Sequence, residues 1–194
     1  MLRPRVSAIT VFGLGSFRPA PGTWGSLPPV LIATLLILMG AGPDLSNERC
    51  AFAWPSWSDL GGFPAESSAI AWNWFIYHGV LALVLVFFSL ACLMQGVAAE
   101  AKYRRKDPSN VVADEVAGQC VPLLFLPSWA LSTPDNALMT LALAFFAFRA
   151  MDIIKPWPAY RLQRIPGGLG ILIDDLIAGV YAAIIVQLVV RLAM

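Results

Sequence analysis

The stretch GGLGILIDDLIAG, residues 167–179, decides how this chain is to be read. It opens an apolar run, Ile171 to Leu192, long enough to span a bilayer of about 30 Å hydrocarbon thickness. Yet Asp174 and Asp175 stand side by side near the start of that run, directly after a glycine-rich turn. An ionised side chain near hydrocarbon is costly, so such residues pair with other charges or serve function.

The rest of the chain has the same apolar character. Of 194 residues, 58% are hydrophobic and 13% charged, against about 45–50% apolar and about 25% charged in a soluble domain. A soluble fold of this size could not bury so much apolar surface. The composition therefore predicts an all-α, multi-span membrane bundle forming one domain over residues 1–194. Four to five apolar segments are visible: Leu27–Gly42, Trp72–Met94, Val116–Ser132, Asn136–Met151 and Ile171–Leu192. Several fall short of about 20 residues, which leaves room for partial or re-entrant helices. Between the first two lies a polar insertion rich in Trp, Pro and Gly at about 43–71.

The net charge of +1 gives no ground for nucleic-acid binding, and nothing indicates a protein partner. Cys50, Cys92 and Cys120 have neither zinc-site nor disulfide spacing, and Cys92 and Cys120 read as small apolar residues inside membrane segments. The N-terminus reads as mature sequence rather than a signal peptide. The basic residues are informative by position. If the segments alternate sides, Arg3, Arg5, Arg18, Lys102, Arg104, Arg105, Lys106, Arg149, Lys155, Arg161 and Arg164 share one side, leaving Arg49 and Arg191 on the other. The positive-inside rule makes the basic side cytoplasmic and the 43–71 insertion external.

Four segments meet on the basic side: GLGSFRPAPGTWGSLP (13–28), KDPSNVVADEVAG (106–118), FRAMDIIKPWP (148–158) and the opening stretch. They bring Asp107, Asp114, Glu115, Asp152, Asp174 and Asp175 together with Arg149 and Lys155. Acids at helix starts also complement the helix dipole, which accounts for one or two of these but poorly for the whole set. The carboxylates outnumber the nearby cations, so a divalent cation is the economical partner, and an all-oxygen donor set favours Mg²⁺ or a similar hard ion. The spacing places Asp114 and Glu115 at the start of the third helix and Asp174 and Asp175 at the start of the last. Thr23 or Ser26 is expected to cap the first helix, with Pro28 just inside it. Gly22, Gly25, Gly167, Gly168 and Gly170 permit close backbone approach to a ligand. With Thr23, Ser26, Arg149 and Lys155 they suggest a phosphate held beside the metal. Glycines four residues after Asp114 and Asp175, Gly118 and Gly179, would let two helices pack closely. His78, the single histidine, falls toward the external side, no cysteine is followed by an arginine-bearing phosphatase loop, and there is no P-loop. Metal-activated water with a carboxylate base remains for hydrolysis.

Taken in order, GLGSFRPAPGTWGSL, DPSNVVADEVAG, FRAMDIIKPWP and GGLGILIDDLIAG resemble the phosphatidylglycerophosphatase A family. The resemblance covers most of the chain and lapses over about 43–71. It implies a Mg²⁺-dependent phosphoric monoester hydrolase of the bacterial inner membrane, facing the cytoplasm. Its substrate would be the membrane lipid phosphatidylglycerophosphate, cleaved to phosphatidylglycerol and phosphate in phospholipid biosynthesis. The family's acidic motif positions carry over to Asp114, Glu115, Asp152, Asp174 and Asp175 as catalytic and metal-binding residues. The phosphate-binding candidates are Gly22, Thr23, Ser26, Arg149, Lys155 and Gly168. A transporter or another lipid-phosphate transferase built on the same acids remains open. A transporter would carry its acids near the bilayer midplane.

Overall fold

Helices α1 (Pro21–Leu38), α2 (Ala65–Tyr103), α3 (Ala113–Leu124), α4 (Pro134–Ile154), α5 (Ala159–Leu162) and α6 (Gly168–Ala193) carry the fold, with short 3₁₀ turns at Val11–Ser16 and Ser128–Leu131. This computed structural model describes residues 7–17, 20–40, 65–106, 108–124, 126–131, 133–163 and 165–193, and there is no strand among them. Arg18, Cys50, Asp107 and residues 43–64 of the polar insertion lie outside the described residues. The insertion ends earlier than its composition suggests, because residues 65–71 already belong to α2.

Among the described residues, four helices are long and apolar enough to cross a membrane: Pro21–Leu38, Phe75–Tyr103, Pro134–Ile154 and Gly168–Ala193. Their outward faces expose Leu31, Leu35, Leu83, Phe87, Leu90, Val180, Ile184 and Leu188. Helices that are apolar all round suit lipid, not water. The third apolar segment, Val116–Ser132, breaks into two pieces. Helix α3 has 12 residues, about 18 Å at 1.5 Å per residue and well short of the hydrocarbon thickness. Pro127 and a 3₁₀ turn follow it.

Non-helical backbone at membrane depth needs its polar groups satisfied by protein. The fully buried Tyr77 of α2 donates its hydroxyl to the Leu123 carbonyl at 3.2 Å, serving a carbonyl that the end of α3 leaves without a helical donor. Thr140 of α4 donates to the Ala130 carbonyl at 3.0 Å. The Thr133 side chain then caps α4 by accepting from the Asn136 amide at 3.2 Å.

Between helices in lipid, association depends on close packing of small residues rather than on exclusion of water. Glycines supply it here. Gly96 of α2 lies against Gly168 of α6, and Gly118 of α3 against Asp175 and Gly179 of α6. Pro122 removes the amide that would bond the Gly118 carbonyl within α3, and that carbonyl faces Gly179. The glycine spacing thus does bring α3 and α6 together. Ala144 and Phe148 of α4 and Ala178, Ala182, Val186 and Val190 of α6 complete the buried core with Tyr77 and Leu81.

Candidate active site

The start of α1, the chain just after α2, the start of α3, the end of α4 and the first turns of α6 converge on one end of the bundle. Together they line a cavity of about 260 Å³. Its walls carry Gly22, Arg105, Ser109, Asp114, Glu115, Arg149, Asp152, Lys155, Asp174 and Asp175. All five predicted carboxylates therefore meet in one place.

They are not equivalent. Asp152 forms an ion pair with Arg149 one turn earlier, at 2.7 Å. Asp174, 4% exposed, is paired with Lys155 at 2.5 Å. The remaining three, Asp114, Glu115 and Asp175, bring carboxylate oxygens within 4.8 Å of one another. Two of their oxygens, Oε2 of Glu115 and Oδ2 of Asp175, are buried and accept no hydrogen bond among the described residues. Buried carboxylate oxygens normally have donors, and three crowded carboxylates repel. Oxygen donors converging at that separation suit a hard divalent cation. The residues present fit the metal that the sequence implies.

Backbone geometry sets this partition. Helix α4 ends at Lys155, which sits in the left-handed region at φ 48° and caps the helix by donating its amide to the Met151 carbonyl at 2.8 Å. From there its ammonium reaches both Asp174 Oδ2 and, at 3.1 Å, Gln163 Oε1. Burial disfavours that ammonium, but the hydrogen bond to Asp174 and the charges of Asp174, Asp175 and Asp152 outweigh burial and hold its pKa above the usual lysine range. Lys155→Met would leave Asp174 buried without its cation. Removing one partner of a buried pair costs about 3–5 kcal/mol, and because Lys155 is 27% exposed we expect the lower end of that range. Thermal unfolding in detergent checks this. The double variant Lys155→Met with Asp174→Asn should recover most of the loss.

Several local expectations change. Asp174 and Asp175 do not open α6: the helix starts at Gly168 and has no acid in its first turn. The dipole explanation therefore fails for this pair, because the effect fades within a turn. Neither Thr23 nor Ser26 caps α1, whose cap residue is Ala20 with no side-chain bond and with Pro21, not Pro28, at the first helical position. The Thr23 amide already donates to the Ala20 carbonyl at 3.1 Å, and Thr23 does not line the cavity. Ser26 is buried one turn in. It donates to the Gly22 carbonyl at 2.9 Å and accepts from Arg149 Nη1 at 3.4 Å.

Of the glycines expected to approach a ligand, only Gly22 faces the cavity. A Cβ there would lie 2.6 Å from Glu115 Oε1 and 3.0 Å from the Arg149 guanidinium, so any side chain would push into the site. Gly25 packs on Val112, Gly167 beside Val97 at φ +77°, Gly168 on the Cys92 carbonyl of α2, and Gly170 on the Ile165 carbonyl. These are contacts with protein, made so that α1 and α6 can sit against their neighbours. The segment around Gly15 is likewise structural. Gly15 accepts from Asn110 Nδ2 at 3.4 Å, and the Ile9 carbonyl accepts from the amides of Val112 and Ala113 at 3.1 and 3.2 Å. This strap holds the loop that delivers Asp114. Cys92 and Cys120 are buried, as expected of small apolar residues.

Arg105 and Ser109 line the cavity without having been singled out for chemistry. Arg105 was visible only as one charge in the run Lys102–Lys106, and the run reads as a topology signal.

The sequence profile of the family described as Phosphatidylglycerophosphatase A matches residues 8–190. A Haemophilus influenzae protein named Phosphatidylglycerophosphatase A is 29% identical over 90% of this chain and 82% of its own length. An Escherichia coli protein of the same name is 38% identical over 40% of this chain and 41% of its own. A Bacteroides thetaiotaomicron protein, provisionally named a phosphatidylinositol-3-phosphatase, is 34% identical over 54% of this chain and 62% of its own length. No solved structure matches the chain. The profile spans every segment that lines the cavity, so the chain belongs to the phosphatidylglycerophosphatase A family.

Proposed function

We propose that this chain is a divalent-cation-dependent phosphatase of the bacterial inner membrane. It would hydrolyse phosphatidylglycerophosphate to phosphatidylglycerol and phosphate, with its site on the cytoplasmic side. The observation that carries the proposal is the convergence of Asp114, Glu115 and Asp175 at one end of a bundle of apolar helices. A lipid headgroup lies at that level of the bilayer. The cavity is of headgroup size and too small to take two acyl chains, which would stay in the membrane beside the apolar helix faces.

Asp114, Glu115 and Asp175 would hold the cation, Mg²⁺ being the expected ion. When bound, it supplies positive charge against the phosphate and activates water. The protein's own groups do the rest. Arg149 is fixed by Asp152 and Ser26, so its guanidinium presents a preorganised donor set to a phosphate oxygen. Lys155, held by Asp174 and Gln163, places a second positive charge on the same wall. Gly22 keeps the floor between Glu115 and Arg149 free of side-chain atoms. A carboxylate of the cluster takes the proton from the attacking water.

Release of inorganic phosphate from phosphatidylglycerophosphate in detergent micelles, titrated with Mg²⁺, tests the proposal. Activity should require the cation. Hydrolysis undiminished after exhaustive chelation would overturn the metal assignment, and absence of phosphate release would overturn the activity. A transporter is disfavoured because the acids gather toward one end of the bundle, not midway along it.

Orientation has its own test. In a background with Cys50→Ser, Lys102→Cys should resist an impermeant thiol reagent added to intact cells, whereas Asp135→Cys, at the opposite end of the bundle, should react. The reverse pattern would place the site outside.

A further inference from the structure

Among the described residues three cations line the cavity, and two are already engaged. Arg149 is held by Asp152 and Lys155 by Asp174. Arg105 makes no ion pair among the described residues, and its side chain is exposed while still lining the cavity. Its position follows from the way α2 ends. Arg104, at φ 51°, takes the left-handed conformation that terminates a helix and turns the chain. Arg105 is thereby carried to the rim, where Ser109 also lines the cavity. An arginine at the mouth of an acidic pocket, with no ion-pair partner among the described residues, is available to an anion of the substrate. It does not belong to the carboxylate cluster at the cavity floor.

We infer that Arg105, with the Ser109 hydroxyl, binds a second phosphate of the substrate, the phosphodiester one polyol unit away from the scissile phosphomonoester. This inference rests on the phosphatase proposal and deepens it. It makes Arg105 a specificity-determining residue that selects lipids carrying a diester beside the monoester over lipids whose only phosphate is the monoester. Phosphatidylglycerophosphate and phosphatidylinositol 3-phosphate both meet that description, and phosphatidic acid does not. The guanidinium fork suits the two unesterified oxygens of a phosphodiester, which it can meet with paired donors. Lysine would supply the charge without the fork.

The test measures phosphate release from the three lipids in mixed micelles for the wild-type chain, Arg105→Gln and Arg105→Lys. Wild type should prefer both diester lipids to phosphatidic acid. Arg105→Gln should raise KM for the diester lipids by about ten- to a hundredfold, the usual loss for a charge-assisted hydrogen bond. Its kcat should stay within about twofold, and KM for phosphatidic acid should stay unchanged. Arg105→Lys should recover part of the loss. A merely structural Arg105 would shift all three lipids together and lower the thermal midpoint. Equal effects on phosphatidic acid and the diester lipids, or no effect on any, would overturn the inference and leave the phosphatase proposal standing. A wild-type chain that releases phosphate from none of the three would overturn both.

Discussion

Glu115→Gln and Asp175→Asn are each expected to lower phosphate release on the order of 10²- to 10³-fold while leaving the fold intact. Both changes are nearly isosteric. Each removes one negative charge from a group of three whose oxygens lie within 4.8 Å. In the metal-free protein that relieves repulsion, so thermal stability should hold or rise. With Mg²⁺ present the same change removes a charged ligand, and the concentration needed for half-maximal rate should climb. Asp114→Asn should behave alike. Asp152→Asn and Asp174→Asn should differ in kind, because each of those carboxylates neutralises a cation of the protein. Their loss should disturb Arg149 and Lys155, costing rate with little change in the Mg²⁺ requirement. Purified variants, matched for helicity and melting temperature and titrated with Mg²⁺, separate the two groups. Equal Mg²⁺ dependence across all five would show that the cation does not sit among Asp114, Glu115 and Asp175.

Gly118→Leu should abolish activity and most of the folded yield. A Cβ at Gly118 would lie 2.7 Å from the Asp175 carbonyl oxygen and 2.7 Å from Phe148 Cε2. One neighbour is backbone and the other belongs to a ring that is itself fully buried, so neither can yield. Even Gly118→Ala should cost about 1–3 kcal/mol as overpacking. It should also weaken Mg²⁺ binding, since it pushes apart the helices that carry Asp114 and Asp175. Gly79→Leu on α2 is the control: nothing lies within 4 Å of a Cβ there, and the variant should behave as wild type. Wild-type stability and rate in Gly118→Leu would mean that α3 and α6 do not approach as closely as described.

Much of this protein was legible in its sequence. Charge-poor apolar runs can be stable only in lipid, so the all-helical membrane bundle follows from composition. Ordered motifs identify the acids and the family, and those acids do meet at one end of the bundle. A glycine four residues beyond Asp114 and another four beyond Asp175 foretold the α3–α6 contact, because only small residues let two helix backbones touch. What spacing could not say was which charges neutralise each other. Asp174 and Asp175 are neighbours in the chain, yet consecutive helix positions point about 100° apart. One therefore faces Lys155 at the end of α4, and the other faces Asp114 and Glu115 on α3. The glycines misled for a related reason: Gly168 and Gly170 look the same in sequence as Gly22, and only the surrounding structure decides whether a missing side chain makes room for a ligand or for a carbonyl of the protein. Arg105 looked like one more cation in a basic run until the left-handed turn at Arg104 placed it over the cavity. Local sequence determines which groups exist and which segments are apolar enough to span. Which of them share a charge is a matter of helix rotation and docking, and that was decided only by the tertiary structure.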